Sequence, residues 1–226
     1  MAGLETGVKR KAGVVCLQEP PKESSVGISH PAYNIRKRKR VWAAVRMGSG
    51  IATNKRTDLN KNRLGDLIVV DIKTRGEKMA MTLNIYDLGE GETGEIPLRR
   101  LNWQRIIRQG GCSTVLAGDF NDHSQRWDPR CTERRDATYW EEIIHEHGLV
   151  IGNDNRPTHY WMRHDSMGES VIDRTLANRS FGKCMILNGS HAIGSDLKMK
   201  KSELEMENQE EAGGTQVVGW NLAAMS

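Results

Sequence analysis

Residues Val115–Asn121, VLAGDFN, with His123 and Trp127 beyond them, place a carboxylate, an amide and an imidazole within five residues at the end of an apolar run. A strand that stops at a glycine and then presents such groups holds them rigidly at the rim of a sheet. Hydrolytic metal sites need that rigidity, because their groups work only when held to roughly 0.5 Å. Taken alone, the segment also fits a β-turn in which Asp119 and Asn121 cap nearby backbone groups. The rest of the chain supplies more. Glu19 follows the apolar run that ends Leu17-Gln18, and Tyr86 ends Leu83-Asn84-Ile85-Tyr86. Asp173 sits in SVIDRTL, residues 170–176, and Asp196 in Gly194-Ser195-Asp196. Side chains of this kind at strand ends suit phosphodiester hydrolysis, with carboxylates for proton transfer and fixed dipoles for developing charge.

The elements that must position these groups are short strands alternating with a few helices. Val14–Leu17 is stopped by Pro20-Pro21. Val41–Val45, Leu67–Ile72 and Met79–Tyr86 are strand candidates, followed by Cys112–Ala117, Leu149–Ile151, His159–Trp161, Ser170–Leu176 and, more weakly, Met185–Leu187. Leu98–Gln109 carries a helical stripe closed by Gly110-Gly111. Ala137–His147 is a clearer helix, with Tyr139, Trp140, Ile143, Ile144 and His147 at the 3.6 period and Gly148 in the C′ position. Lys198–Ala212, KMKKSELEMENQEEA, is charged and poor in apolar residues, and reads as a solvated helix or disordered tail. Val217–Ala224 is a short apolar patch with no evident partner. The expected organisation is therefore one domain over 1–197 and a charged tail or linker over 198–226.

Composition bounds the function loosely. The chain has 226 residues and is 37% hydrophobic, enough for one large core. A mean hydropathy of −0.60 and a sequence pI near 8.9 lean mildly toward an anionic partner. The four cysteines form no C-x-x-C pair, so neither a zinc site nor a disulfide framework is implied. No signal-peptide h-region and no membrane-length apolar run occurs, so the expected setting is intracellular, nuclear or cytoplasmic, with no membrane partner and no secretion. The basic run Arg36-Lys37-Arg38-Lys39-Arg40, between Tyr33 and Trp42, fits phosphate contacts or a nuclear import signal. It fits a solvated strand edge as well.

Together the segments resemble the endonuclease/exonuclease/phosphatase superfamily, and within it the apurinic-like endonuclease domain of non-LTR retrotransposons, fungal Tad-type elements above all. The resemblance is carried in colinear order by L-Q-E-P-P (17–21), I-S-H-P-A-Y (28–33), N-I-Y-D (84–87), V-L-A-G-D-F-N-D-H-S-Q-R-W-D-P (115–129), E-H-G-L (146–149), S-V-I-D-R-T-L-A (170–177) and G-S-D (194–196). It implies an α/β (α+β) fold, a four-layer, DNase I-like sandwich of two β-sheets flanked by helices, here incomplete at the first and last strands. It implies Glu19 as ligand of Mg²⁺ or Mn²⁺, Asp119 as the group that orients or deprotonates the attacking water, and Asn121 as a holder of the scissile phosphate. Tyr86 would donate to a phosphate oxygen, and Asp173 would fix the tautomer of a catalytic histidine. Asp196 belongs to the same set, His123 is expected behind it in a supporting place, and Trp127 is expected to pack. DNA is the implied partner, and a longer polyprotein with a reverse transcriptase the implied origin.

The chain departs from the family in two places. No asparagine-ended strand precedes the Q-E motif, and Asp196 is followed by Leu197 where members have histidine. Losing such an imidazole removes on the order of 10²–10³ in rate. Unpaired ladder edges and lost core area are expected to follow from the missing strands. Arg174 falls on an apolar face and must snorkel or be paired, and Asp122 adds a carboxylate beside the G-D-F-N site that could bind metal or repel phosphate. Three functions are consistent with this pattern: a metal-dependent DNA-nicking endonuclease with impaired activity, an inactive decayed retroelement fragment, and another phosphatase or exonuclease of the superfamily.

Overall fold

The computed structural model describes residue 8 and residues 13–18, 29–38, 40–47, 52–56, 66–73, 79–87, 98–109, 114–131, 137–153, 155–163, 166–178, 181–191, 198–205 and 216–223. They build an α/β sandwich of two six-stranded sheets with helices against one outer face. The first sheet contains β1 (Val14–Gln18), β2 (Tyr33–Lys37), β3 (Val41–Arg46), β12 (Phe181–His191), β13 (Lys198–Glu205) and β14 (Gln216–Ala223), in the order β12-β13-β14-β1-β3-β2. The second contains β4 (Ala52–Lys55), β5 (Leu67–Lys73), β6 (Met79–Tyr86), β7 (Thr114–Asp119), β8 (Val150–Ile151) and β11 (Asp173–Ala177), in the order β4-β5-β6-β7-β11-β8. A separate hairpin pairs β9 (His159–Arg163) with β10 (Ser166–Ser170).

Side-chain alternation explains the layers. In β5, Ile68, Val70 and Ile72 face the other sheet and meet Val14, Cys16, Val41, Ala43 and Val45. Leu67 and Val69 face outward into a second cluster with Trp103, Trp140, Phe120 and Trp127. Because both faces of this sheet are covered, β5 and β7 read as nearly continuous apolar runs rather than alternating ones.

The two sheets are joined by a polar bridge as well as by apolar contact. Asn84 of β6 donates from Nδ2 to the carbonyls of Leu17 (3.0 Å) and Trp42 (2.8 Å) in the facing sheet. Its Oδ1 accepts from Gln18 Nε2. Asn84 is 1% exposed and Gln18 0%, so these bonds are sealed from water and fix the end of β1 against the centre of the second sheet.

The helices begin and end where local chemistry dictates. The stripe expected over Leu98–Gln109 splits into a 3₁₀ turn, Leu98–Arg100, and α1, Trp103–Gln109. Asn102 is the reason: its Oδ1 accepts from Arg105 N at 2.8 Å, an N-cap that starts the α-helix afresh. The second helix, α2 (Ala137–Glu146), ends as expected at Gly148, which sits at φ 58°. Gly148 N donates to His145 O (3.2 Å) and Leu149 N to Ile144 O (2.8 Å), the paired bonds of a Schellman cap. No helix among the described residues is long and apolar enough to cross a membrane.

Two expectations for the C-terminal stretch fail. Lys198–Glu205 is neither solvated helix nor tail but strand β13, between β12 and β14, and the patch near Val217 is strand β14. Nor is β1 left with an open edge, since β14 runs parallel to it with Cys16 opposite Asn221 and Gln18 opposite Ala223. Backbone groups along a buried strand must be paired, and sheet context overrides weak local preference. Residues 206–215 lie outside the described residues.

Candidate active site at the ends of β6, β7 and β11

Three of the residues singled out from sequence end, or begin, adjacent strands at one level. Tyr86 is opposite Asp119 in the parallel pair β6–β7, and Asp173 is opposite Asp119 in the antiparallel pair β7–β11. The alternation that turns Val115 and Ala117 toward the sheet interface also turns Asp119, so all three lie at one rim of that interface. They are 7%, 4% and 2% exposed respectively. Gly118 permits this packing: at φ 152°, a Cβ there would lie 1.9 Å from the carbonyl oxygen of Ile85.

The turn after Asp119 is an Asx-turn, as the plainer of the two sequence readings allowed. Asn121 N donates to Asp119 Oδ1 at 2.8 Å, and Asn121 takes φ 43°, left-handed backbone that asparagine tolerates better than most residues. The result is a fixed Asp119 beside an exposed Asn121 side chain. The local turn and the candidate site are therefore one arrangement. Asp173 is held from the other side. Thr158 Oγ1 accepts from Ile172 N (3.2 Å) and Asp173 N (3.1 Å), while Asn153 Nδ2 donates to Asp173 O (2.8 Å) and its Oδ1 accepts from Thr175 N (3.1 Å).

The loop from Phe120 to Asp128 is tied along its length to residues 171–174, at the entry to β11. Phe120 N donates to Ile172 O (3.0 Å), and Asp128 Oδ2 accepts from Val171 N (3.0 Å). Arg174 Nη2 donates to the Asp122 carbonyl. Trp127 is fully buried and packs, as expected, with the Arg174 guanidinium 3.5 Å from its ring centroid. Arg174 does not snorkel. It is 0% exposed, and burial pulls its pKa down to about 9, against the upward pull of Asp122, Asp119, Asp173 and Asp87. Burial likewise pushes the Asp122 carboxyl up, opposed chiefly by Arg174 and by a hydrogen bond from His123 N at 2.9 Å. His123 itself is half-buried behind Asn121 in the chain.

Of the remaining candidates, Glu19, Asp196 and Lys39 lie outside the described residues. The backbone of β1 nevertheless ends at Gln18, whose side chain is pinned to Asn84 one turn of pleat below Tyr86. The basic run forms the β2–β3 hairpin at the edge of the first sheet, with Arg36 and Lys37 in β2 and Arg38 in the turn. Lys37 Nζ lies 4.7 Å over the Trp42 ring, and Arg40 pairs with Asp66 at 2.5 Å, so Arg40 is engaged in linking the two sheets.

The first and last members of N-I-Y-D (84–87) have tasks that the sequence alone does not reveal. Asn84 is the sheet-to-sheet bridge. Asp87, 1% exposed, accepts from Trp140 Nε1 (2.8 Å) and Arg99 Nε (3.3 Å), and its N–H donates to Asp119 O (2.8 Å). It thus locks α2 and the 3₁₀ turn to the strand that carries Asp119. Phe120 adds an edge-to-face contact with Trp140, centroids 4.7 Å apart. The signal was the polarity of Asn84 and Asp87 in a run that is otherwise buried.

The geometry can be set beside known proteins. Residues 100–197 match the family described as "Endonuclease-reverse transcriptase". No curated protein sequence matches. Among solved structures, the endonuclease domain of TRAS1, a telomere-specific non-LTR retrotransposon, superposes with a TM-score of 0.71 at 17% identity, covering 91% of each chain. An endonuclease/exonuclease/phosphatase family protein from Leptotrichia buccalis gives 0.60 at 13% identity, covering 89% of this chain and 90% of that one. D. rerio TDP2 complexed with single strand DNA product gives 0.52 at 11% identity, covering 86% of each. At these identities the structural likenesses establish the fold, and the family match covers residues 100–197. The chain has the nuclease and phosphodiesterase fold of the endonuclease/exonuclease/phosphatase superfamily, and within it resembles the endonuclease domain of non-LTR retrotransposons.

Proposed function

We propose that this chain is a DNA-nicking phosphodiester hydrolase domain of a non-LTR retroelement, dependent on Mg²⁺ or Mn²⁺ and slower than intact relatives. The observation that carries the reading is the in-register convergence of Tyr86, Asp119 and Asp173 on three adjacent strand ends, beside an exposed Asn121. The donor set suits a hard cation. It is built of carboxylate, amide and phenol oxygens, and such an ion takes one or two carboxylates while keeping most of its waters. Glu19, next after the anchored Gln18, would hold it, and when bound it would neutralise charge on the phosphate and leaving oxygens.

The chain's own residues supply the remaining chemistry. Asp119, fixed by the Asx-turn, orients the attacking water and takes its proton. Asn121 and Tyr86 donate to non-bridging phosphate oxygens, dipoles in place before charge develops. Asp173 and Asp196 complete the set. DNA is the substrate. The β9–β10 hairpin leads directly into Asp173 and exposes Trp161, Met162 and Met167, at 38%, 74% and 80%. Large apolar side chains on a narrow ribbon beside a phosphate site suit a wedge against bases in a groove. The longer reverse-transcriptase polyprotein is part of the same proposal.

A second reading, an inactive descendant of such a domain, is favoured by one observation, Leu197 where the family has histidine. Incubating the chain with supercoiled plasmid and Mg²⁺ or Mn²⁺ separates the two. Open circles lost in Glu19→Ala and Asp119→Ala support the nicking enzyme. No nicking in the wild type or in Leu197→His supports the inactive reading.

A further inference from the structure

The helix layer carries positive charge for which the candidate active site has no use. Residues 98–109, LRRLNWQRIIRQ, hold four arginines and no acidic residue. Arg99 is engaged by Asp87, at 3.3 Å. Arg100, Arg105 and Arg108 are exposed, and none of them forms an ion pair with a described residue. Arg105 and Arg108 stand three apart on α1, so they share a face and repel each other. Arg108, in the last turn, suits the negative end of the helix dipole, which accounts for one of the three charges but not for Arg105 or Arg100.

Arg108 lines two clefts. The smaller, about 300 Å³, is shared with Gln104 and Arg105. The larger, about 850 Å³, is shared with His145, Glu146 and His147 around the C-terminal end of α2 and with Asn178 after β11. Glu146 is the one carboxylate among the described lining residues. Thr114 places the larger cleft: its Oγ1 donates to Ile107 O (3.4 Å) and its N–H to Asn178 Oδ1 (2.8 Å). Thr114 begins β7 and Asp119 ends it. At a strand rise of about 3.3 Å per residue the two lie roughly 17 Å apart, so the cleft is at the end of the sheet away from Asp119. The large exposed apolar side chains all lie elsewhere in the chain, so a protein partner would find no anchor on α1. Guanidinium forks do match phosphate oxygens, two donors at a time.

We propose that Arg105 and Arg108, with the clefts they line, bind the phosphodiester backbone of a nucleic-acid segment that lies outside the cleavage site. The contact is electrostatic and blind to sequence, because no Trp, Tyr or Phe stands among the described lining residues to stack a base. It goes beyond the proposed hydrolysis and does not depend on it.

The test is a fluorescence-anisotropy titration of labelled duplex DNA, single-stranded DNA and single-stranded RNA of one sequence, in EDTA so that nothing is cut, at about 50 to about 200 mM salt. Wild type is compared with Arg105→Gln/Arg108→Gln and Arg105→Lys/Arg108→Lys. The glutamine variant should bind at least one of the three several-fold more weakly. Its plot of log K against log salt should be shallower by about 1.4–1.8, the change expected for two lost phosphate contacts. The lysine variant keeps both charges and should keep the slope. Both side chains are exposed, so melting temperatures should stay within about 2 °C, and plasmid nicking at saturating DNA should be unchanged. The strand whose binding falls most identifies the occupant. Unchanged slopes for all three strands in the glutamine variant overturn the proposal. So does a lysine variant as shallow as the glutamine one, or a fall in nicking at saturating DNA. Labelled polyglutamate bound as tightly as nucleic acid, and lost in the same variant, overturns it in favour of an acidic protein. If the wild type does not nick, the proposed hydrolysis fails, while the titrations still decide this site.

Discussion

Replacing Asn84 by alanine should destabilise the fold strongly, and should reach the proposed metal site without touching it. The side chain is 1% exposed and makes three hydrogen bonds across the sheet interface, to the Leu17 and Trp42 carbonyls and from Gln18 Nε2. Truncation leaves three buried polar groups unsatisfied, at about 1–3 kcal/mol each. Two are carbonyls, which keep a second lone pair, so the lower half of that range applies and the sum is about 3–6 kcal/mol. That is a large part of the roughly 5–15 kcal/mol by which domains are stable. Urea unfolding followed by tryptophan fluorescence measures it directly. A cycle with Gln18→Ala should return a coupling of about 0.5–3 kcal/mol, since the two side chains share one bond. Because Gln18 precedes Glu19, the variant should also require more Mg²⁺ for half-maximal nicking. A loss below about 1 kcal/mol at unchanged m-value would refute the reasoning, because it would mean that the bridge is dispensable.

Other predictions follow from the same geometry. Gly118→Ala places a Cβ 1.9 Å from Ile85 O at φ 152°, and should cost about 2–4 kcal/mol or yield insoluble protein, read as a fall in melting temperature. Asp122→Asn should stabilise the fold at neutral pH. The folded carboxyl is raised above its ordinary 3.8, so its favourable protonated form is present below that value and lost as pH rises through the folded pKa; the gain over wild type should therefore vanish in acid unfolding below pH 3.8. Trp161→Ala together with Met167→Ala, on an exposed hairpin, should leave the melting temperature within about 2 °C while weakening DNA binding several-fold in a gel-shift titration. Leu197→His should raise the nicking rate by up to about 10²-fold if it restores the missing donor, measured under single-turnover conditions.

Much of the candidate site is legible in the chain because its residues sit where pattern changes abruptly. Val115–Ala117 is a buried run, Gly118 breaks it, and Asp119 and Asn121 follow, so strand end and polar cluster coincide in the sequence. The Gly148 cap was legible for the same reason: a positive-φ residue has few chemical identities. What could not be read depends on partners distant in the chain. Nothing local in KMKKSELE prefers a strand. Lys198–Glu205 becomes one between β12 and β14, where its backbone groups complete two ladders. The break before α1 hangs on one side chain, Asn102, that a helical stripe tolerates and a cap exploits. Asn84 and Asp87 were visible as polar residues in an apolar run, but their tasks are set by Leu17, Trp42 and Trp140, between 42 and 67 residues away.

The central claim is that Asp119, fixed between Tyr86 and Asp173, serves phosphodiester hydrolysis. Nicking of supercoiled plasmid in Mg²⁺ by the wild type and by Asp119→Asn, which keeps the shape and an acceptor for the Asn121 N–H while removing the base, tests it most directly. The account predicts slow open-circle formation by the wild type and a further fall of at least about 10²-fold in a variant with an unchanged melting curve. Equal nicking by the two proteins would contradict it.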